Sequence, residues 1–303
     1  MKRKLIQLGT GTLLVSIPNE YVQKYRLTKG QEIDVSEEDE CIKISPNKAI
    51  KKVSKYTIDT RKGDLFDIRI INYIIKTGVD EIQVFFNKKE VYSQIEKEIP
   101  NLFGFEIMEI KSGSCIIKSI AGQSSEELDN ILRRAFISLI NFSDEIYENL
   151  TSGKKEALNE IILIEKNIDR LTDYYLRCMF KENANKADWI FDYLVARDIE
   201  KIADYYKQIC LSKNRPQQKF ISAFLDTNKL LRKYYELYYN IQEDLEALKL
   251  LGEIEKLKEK LAGNQNESPN KDFNLLLGII FELQHLIGPY VEKRHVENTN
   301  KKD

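Results

Sequence analysis

The stretch ARDIEKIADYY, residues 196–206, decides the fold of the largest part of this chain. Its apolar residues recur at the three- and four-residue spacing of an amphipathic helix, which we predict over residues 187–212. Six residues are expected to face inward on this helix: Ile190, Leu194, Ile199, Ile202, Ala203 and Tyr206. Two acids, Glu200 and Asp204, stand one turn apart on one face, so they belong either to a solvated surface or to half of a metal site.

The composition is that of a charge-rich globular protein. The 303 residues are 42% hydrophobic and carry a net charge of −1, which predicts two or three domains and excludes a polycationic nucleic-acid binder. No run of about 18 apolar residues and no leader pattern occurs, so we expect neither membrane insertion nor secretion. The four cysteines form no CxxC pair, which argues against a zinc site and predicts a cytoplasmic protein with reduced thiols.

Periodicity divides the chain into three parts, which together predict an α+β protein that is mostly α. Residues 1–48 contain short strands and one short helix beginning at Pro18, and they hold too few large side chains for a core of their own. Residues 49–123 follow the order βαβαββ of a small α/β domain. No glycine-rich phosphate loop joins its strands to its helices, so we interpret this domain as a spacer or a sensor.

Residues 124–297 carry helical periodicity, and we predict that they form an internally repeated helical domain. The two halves, 124–213 and 217–297, are expected to be degenerate repeats of a three-helix bundle.

The repeat depends on two alignments. Residues 196–206 align with 280–290, and IEKNID at 164–169 aligns with IEKLKE at 254–259. In the second half Gln284 stands at the position of Glu200, and Gly288 stands at the position of Asp204. The pair of acids is therefore present only once.

A second pair of acids, Glu165 and Asp169, has the same spacing on a helix predicted over residues 154–182. Two adjacent antiparallel helices would bring four carboxylates together, a donor set that suits hard cations: Glu165, Asp169, Glu200 and Asp204. Chance alone gives about seven or eight such acidic pairs at this acid content. Cations are also interleaved with both pairs: Lys166, Arg170, Arg197 and Lys201. Spacing alone therefore favours a solvated face and leaves the metal site open.

The segment ARDIEKIADYYKQI, residues 196–209, resembles the signature of PhoU-like phosphate-uptake regulators, and IEKNIDRL, residues 164–171, resembles that family's preceding helix. Five residues match the family's pattern: Glu165, Asp169, Asp198, Glu200 and Asp204. The resemblance is close over residues 154–212 and faint over 217–297.

The resemblance implies a fold and a function. It implies two three-helix bundles, a role in phosphate transport control or phosphate-starvation signalling, and a divalent or trivalent metal ion (iron, manganese, magnesium or zinc) held by the acidic motifs. Tyr205 stands where the family has His, and the second half lacks the acids. The resemblance therefore implies a metal site in the first bundle only.

The N-terminal segment KRKLIQLGTGTLLVSIPNEYVQKYRLTKGQEIDV, residues 2–35, resembles the SpoVT/AbrB-type swapped-hairpin domain. The pattern is a strand, a glycine turn, a strand ending in VSIP, a short helix, and KG before another strand. The resemblance implies an intertwined homodimer through residues 1–48, and many members of that family bind DNA. Its joining to a PhoU-like part is typical of archaeal proteins.

Charge supports DNA contact by the N-terminal part. Residues 1–55 contain eleven Lys and Arg against seven Asp and Glu, a net charge of +4 that doubles in a dimer. The first turn carries Gly-Thr-Gly-Thr where DNA-binding relatives place arginines, the residues that read base edges. We therefore expect weak contact with the DNA backbone through five cations: Lys2, Arg3, Lys4, Lys24 and Arg26.

Two functions remain open, and neither is enzymatic, because we find no nucleophile and no general base. The first is a dimeric, phosphate-responsive regulator that binds DNA through its hairpins and metal through its helices. The second is an adaptor without DNA contact, which docks on a phosphate ABC transporter or its signalling kinase.

Overall fold

The computed structural model describes residues 2–9, 11–38, 41–46, 53–63, 66–120, 128–153, 155–182, 189–212, 214, 216–241, 243–263 and 271–300. The chain forms two compact units, Met1–Val53 and Ser54–Asp303. The boundaries predicted after residues 48 and 123 lie outside the described residues. The predicted α+β class, mostly α, is confirmed by six long helices in the second unit together with small sheets in both.

The first unit consists of two hairpins and a short helix. Strands β1 (Ile6–Leu8) and β2 (Thr12–Leu14) pair antiparallel, and Gly9 takes a positive φ of 69° in the turn between them. Helix α1 (Asn19–Tyr25) follows Pro18, and strands β3 (Ile33–Glu38) and β4 (Cys41–Pro46) form the second antiparallel hairpin. The Tyr21 hydroxyl donates a hydrogen bond to the Ile44 carbonyl at 2.7 Å, which joins α1 to that hairpin.

The first unit exposes most of its large apolar side chains. Ten of them are more than two-fifths exposed: Leu5, Ile6, Leu8, Leu13, Leu14, Val15, Tyr25, Val35, Ile42 and Val53. Pro46 is the one buried residue among those described in this unit. The described residues of these hairpins therefore form no hydrophobic core within a single chain, and exposed apolar surface on this scale is typical of interaction surfaces.

The second unit begins with an α/β part in the predicted order βαβαββ. Its elements are β5 (Lys55–Asp59), α2 (Arg69–Lys76), β6 (Glu81–Phe85), α3 (Lys89–Glu98), a 3-10 turn (Ile99–Asn101), β7 (Phe105–Lys111) and β8 (Ser114–Ser119). The sheet order is β5-β6-β8-β7, with β5 and β6 parallel and the other pairs antiparallel. Its core is made by fully buried residues from both helices and two strands: Ile71, Ile82, Val84, Ile95 and Ile117.

The helical part follows in the same compact unit. It contains α4 (Leu128–Ser152), α5 (Lys155–Glu182), α6 (Trp189–Cys210), α7 (Gln218–Glu236), a π-helical turn (Leu237–Ile241), α8 (Asp244–Gly263) and α9 (Lys271–Asn300). All six helices contribute to one hydrophobic core. Helix α6 packs against α4, α5 and α9. The stretch that predicted α6 thus lies at the centre of the core.

The inward face predicted for α6 is right for four residues and wrong for two. Ile199, Ile202, Ala203 and Tyr206 are fully buried, whereas Ile190 and Leu194 are each 39% exposed. The buried stripe continues toward the N-terminus through Val195 and Ala196 instead. The prediction for Leu194 is wrong because Leu194 lies five residues before Ile199. In a helix with 3.6 residues per turn this spacing rotates the side chain by about 140°.

Helix α9 is the one described helix whose length and composition would allow it to cross a membrane. Half of the apolar window that meets this criterion is buried inside the protein. Five of its apolar residues are fully buried: Leu276, Ile279, Ile280, Leu283 and Leu286. This is the pattern of an internal bundle helix, which meets the same criterion because it is apolar around most of its circumference.

Helices α6 and α9 approach closely at Gly278. A Cβ added at Gly278 would lie 2.6 Å from the Tyr205 ring, closer than two carbon atoms can approach without displacement. Gly278 is therefore required by the Tyr205 ring rather than by backbone conformation.

Replacing Gly278 with Ala is expected to destabilise the protein, because the new methyl group overlaps the Tyr205 ring. We expect a loss of about 1–3 kcal/mol in the free energy of unfolding, measured by chemical denaturation. In a Tyr205→Ala background most of this loss should disappear, since the obstructing ring is gone. Gly252→Ala on α8 is the control, because nothing in the described part of the chain lies within 4 Å of a Cβ there. At that position we expect a gain of about 0.5–1 kcal/mol, and an equal loss at both glycines would contradict the steric explanation.

Candidate functional site

The structure places the four predicted acids on two adjacent helices. Glu165 and Asp169 lie on α5, and Glu200 and Asp204 lie on α6, which packs against it. Glu165 is fully buried, whereas more than half of the Asp204 side chain is exposed. The two pairs therefore form one acid cluster that extends from the α5–α6 contact to the surface.

Lys207 on α6 supplies one counterion to this cluster. Its Nζ donates to Oε1 of Glu165 at 2.7 Å and lies 3.7 Å from Oδ1 of Asp204. The ammonium group therefore bridges an acid of α5 and an acid of α6. A buried carboxylate such as Glu165 needs such a partner, because leaving it ionised and unpaired would be very costly.

Two buried carboxylate oxygens still lack a hydrogen-bond donor. Among the described residues, neither Oε2 of Glu165 nor Oδ1 of Asp169 has a hydrogen-bond partner. Burial, followed by the charges of Glu165 and Glu200, raises the pKa of Asp169 to about 9. Burial also raises the pKa of Asp204, and Glu165 and Glu200 raise it further. The cluster therefore holds more negative charge than Lys207 neutralises, and it takes up either a proton or a cation.

A second lysine reaches the cluster from the α/β part. Nζ of Lys76, the last residue of α2, lies 2.6 Å from Oδ1 of Asp173 and 3.1 Å from both carboxylate oxygens of Glu200. Arg197 donates to Glu200 at 2.8 Å. Burial raises the pKa of Asp173 to about 6, although Lys76 opposes that change.

The sequence contained a signal for Asp173 that the prediction missed. Glu165, Asp169 and Asp173 follow one another at four-residue spacing on α5, so all three share a face. The next residue of this series is Arg177, which donates to the Ile75 carbonyl at 3.2 Å and pairs with Asp80 at 2.8 Å. This face of α5 therefore contacts α6 through its acids. It contacts the α/β part through Asp173, which pairs with Lys76, and through Arg177.

The second half of the helical part contains a counterpart with less charge. Gln284 on α9 donates to Glu255 on α8 at 2.7 Å, and Lys258 donates to both side chains. These residues are the alignment partners of Glu200 and Glu165. Gln284 and Gly288 replace two of the four acids, so the counterpart keeps only the two acids of α8, Glu255 and Glu259.

A further pair of aligned residues meets where α6 and α9 pack. Lys201 donates to Asp198 at 2.8 Å and to Glu282 at 3.2 Å. Asp198 and Glu282 occupy equivalent positions in the two aligned segments. Lys201 therefore joins the two aligned segments at equivalent positions, Asp198 and Glu282.

The acid cluster fits a hard cation by its donor chemistry. It offers carboxylate oxygens only, and the two without partners mark where a positive charge would be taken up. In the described part of the chain, no group of three or more His, Cys, Asp or Glu residues is arranged to hold a metal ion. In the geometry seen here the acids instead contact Lys207 and Lys76, and metal binding stays a prediction.

The five cations predicted to contact DNA all lie on the surface of the first unit. Lys2, Arg3 and Lys4 precede β1. Lys24 is in the last turn of α1, and Arg26 follows that helix with a left-handed φ of 51°. All five side chains are accessible to a phosphate backbone.

Comparisons with protein-family models, curated proteins and solved structures found no significant match to this chain. Its function has therefore to be inferred from its own residues and contacts.

Asp169→Asn is expected to stabilise the metal-free protein at alkaline pH. Asp169 keeps its proton to about pH 9 when folded, whereas its ordinary pKa is 3.8, so folding binds a proton between these values. Stability from this group is therefore present at low pH and is lost as pH rises toward 9. We expect the variant to gain about 1–2 kcal/mol at about pH 8 and little at about pH 4, measured by urea denaturation with a chelator.

The control for this prediction is Asp226→Asn, which changes an acid paired at the surface with Lys229 and Lys260. It should leave the pH dependence of stability unchanged. A wild-type protein that is equally stable at both pH values would argue against a buried, protonated Asp169.

Proposed function

We propose that this chain is a cytoplasmic, dimeric regulator of phosphate uptake or of its transcription, resembling PhoU-like proteins and without enzymatic activity. The hairpin unit would bind DNA, and the helical part would sense metal or phosphate. The observation that carries the proposal is the acid cluster, in which Glu165 is fully buried and the pKa of Asp169 is raised to about 9. Burying several carboxylates costs stability, and such sites are enriched in function.

The helical part would act as the sensor. Glu165, Asp169, Glu200 and Asp204 would hold the ion, and iron, manganese, magnesium and zinc are the candidates. A bound metal would supply the positive charge that the buried carboxylates lack. The ion pair of Lys207 with Glu165 would have to open, since that ammonium group already contacts Oε1.

The α/β part would respond to the charge state of this cluster. Lys76 at the end of α2 is only 10% exposed and pairs with both Asp173 and Glu200. A cation at the neighbouring acids would compete with the charge of Lys76 for Glu200. This contact would give the α/β part a physical connection to the sensor.

A homodimer through residues 1–48 would cover the apolar surface of the first unit. Two copies that exchange hairpins would bury side chains such as Leu13 and Ile42, which are 61% and 71% exposed in one chain. Burial of a leucine or isoleucine side chain contributes about 1.5–3 kcal/mol, so several per chain suffice for a stable dimer.

DNA contact would use the cations of the dimer. The net charge of +4 over residues 1–55 would double, and the five exposed cations come from the N-terminus and from α1. Contacts of this kind are with phosphates, so affinity should fall steeply with salt.

The second candidate is an adaptor that docks on a phosphate ABC transporter or its signalling kinase without contacting DNA. The observation that favours it is the turn between β1 and β2, where Gly9 to Gly11 carry no cation for base recognition. The two candidates share the dimer and the acid cluster and differ only in DNA binding.

Metal binding is tested by element analysis of untagged protein purified without chelator. We expect bound iron, manganese, magnesium or zinc in the wild type and at least a tenfold loss in affinity, about 1.4 kcal/mol or more, for Glu165→Gln combined with Asp169→Asn. Glu255→Gln, the aligned position in the second half, is the matched control and should keep the metal. Equal metal content in all three proteins, or none in the wild type, would remove the metal part of the proposal.

Dimerisation is tested by light scattering after size exclusion. Leu13→Glu places a charge in the apolar surface and should shift the protein toward a monomer, whereas Leu248→Glu on α8 changes an equally exposed leucine and should not. A monomeric wild type would refute the proposed homodimer.

DNA binding is tested by mobility shift on the gene's own upstream region over a salt series. Replacing Lys2, Arg3 and Lys4 with Gln should weaken binding and lower the salt slope by about 0.9 for each phosphate that these cations no longer neutralise. The control replaces three exposed lysines of α8 with Gln: Lys249, Lys256 and Lys260. No retardation even at low salt would eliminate the DNA-binding regulator and leave the adaptor.

A further inference from the structure

Strand β7 forms one edge of the four-stranded sheet in the α/β part. The sheet order ends at β7, so its outer side pairs with no strand in the described part of the chain. Two of its apolar side chains, Met108 and Ile110, are 55% and 57% exposed. An edge strand presents unpaired backbone N–H and C=O groups, with which another strand can pair.

A β-bulge in β7 adds one residue to the strand. In the pairing with β8, Ile107 lies opposite Ile117, and Glu109 lies opposite the next residue, Ile116. Met108 is therefore the extra residue. A bulge shifts the alternation of side chains between the two faces of the sheet for every residue that follows it.

The bulge brings two opposite charges to one face. Glu106 lies opposite Lys118, and Lys111 lies opposite Ser114. Lys118 and Ser114 are four residues apart on β8, so they share a face, and Glu106 and Lys111 share it with them. Without the bulge, Glu106 and Lys111 would face opposite ways, because their spacing of five is odd.

The same shift brings two isoleucines to the other face. Ile107 and Ile110 lie opposite Ile117 and Cys115, which are two residues apart on β8 and both belong to the core side of the sheet. Ile110 is exposed nevertheless, since it lies on the edge strand.

This order of side chains makes β7 complementary to a second copy of itself. When two copies run antiparallel with their midpoint between Met108 and Glu109, Glu106 lies opposite Lys111 of the second copy, twice by symmetry. Ile107 then lies opposite Ile110 of the second copy. Opposite charges and apolar pairs directly across an antiparallel pair both stabilise it. A shift of one residue in either direction would place side chains of opposite faces across from each other.

An open apolar groove lies beside Ile107, where Ile110 of the second copy falls in this register. Its volume is about 730 Å³. Its apolar lining includes six residues: Ile99, Leu102, Phe103, Phe105, Ile107 and Ile120. Glu106 also lines the groove, so the acid that meets Lys111 of the second copy lies at the same place.

We propose that β7 pairs antiparallel with β7 of a second copy of this chain, which joins two four-stranded sheets into one continuous sheet. A bulge on an edge strand usually hinders pairing, but in β7 it aligns the charges and the isoleucines for pairing with itself. Lys111 also pairs with Glu109 within the chain, so positive charge lies close to the two Glu109 side chains near the symmetry axis. The contact is distinct from the hairpin homodimer, because all of its residues belong to the second unit.

Disulfide trapping in the full chain tests the contact with a single cysteine near the symmetry axis. Met108→Cys is made together with Cys41→Ser, which removes the exposed native thiol. In the proposed register the two Met108 positions are offset by one residue across the strand pair, so their Cα atoms are about 6 Å apart, within the reach of a disulfide. The control is Tyr56→Cys in the same background, because Tyr56 is exposed on β5 at the opposite edge of the sheet. We expect Met108→Cys to form linked dimer at least about tenfold faster than Tyr56→Cys under mild oxidation.

Charge reversal in the Met108→Cys protein tests the register. Lys111→Glu places two acids opposite each other at both ends of the contact and should slow linking about tenfold. Adding Glu106→Lys puts opposite charges across from each other again and should bring the rate back to within about twofold of the parent. Lys62→Glu, which reverses an exposed charge in the turn after β5, should leave the rate unchanged.

Recovery in the double variant also shows that lost linking is not caused by unfolding, and thermal melts verify each variant. The proposal is overturned if Met108→Cys links no faster than Tyr56→Cys. It is also overturned if a folded Lys111→Glu variant links as fast as its parent, or if Glu106→Lys does not restore the rate.

Discussion

Glu165, Asp169 and Asp173 stand at four-residue spacing on α5, where Glu165 is fully buried and Asp169 and Asp173 are half-buried. Burial, followed by the charges of Glu165 and Glu200, raises the pKa of Asp169, and burial raises the pKa of Asp173, so positive charge has to be supplied. Lys207 supplies it from α6 and Lys76 from α2. The arrangement of α5, α6 and the α/β part depends on this balance, because each lysine belongs to a different element.

This dependence explains why the α/β part and the helices form one compact unit. One face of α5 carries acids at one end and Arg177 and Lys181 at the other. Lys76 pairs with Asp173 at the acidic end. At the basic end, Arg177 donates to the Val79 carbonyl, and Arg177 and Lys181 both contact Asp80. An ion-pair network between elements is sensitive to ionisation in a way that an apolar contact is not. A proton or cation entering at Asp169 therefore changes the electrostatic environment of Glu200 and, through it, of the α/β part.

The two sequence segments that align with each other in the helical part differ in charge. Gln284 donates to Glu255, and Lys258 donates to both side chains. The second half is thus a satisfied polar contact, and the first is a cluster with buried oxygens left over.

Sequence periodicity alone determined the element order, the mostly helical class and the pairing of acids on single helix faces, because these properties depend on residues three or four apart. It also indicated a first unit without its own core, since the supply of large buried side chains is a matter of composition. The prediction was wrong at Ile190 and Leu194 because these residues are rotated around the helix axis away from the buried stripe.

Only the tertiary structure decided that Lys76, more than a hundred residues away in sequence, neutralises Glu200. It also decided that Gly278 has to accommodate the Tyr205 ring. These features arise from contacts between segments that are distant in the sequence. The packing of the whole core fixes these contacts, so they produce no local periodicity in the sequence.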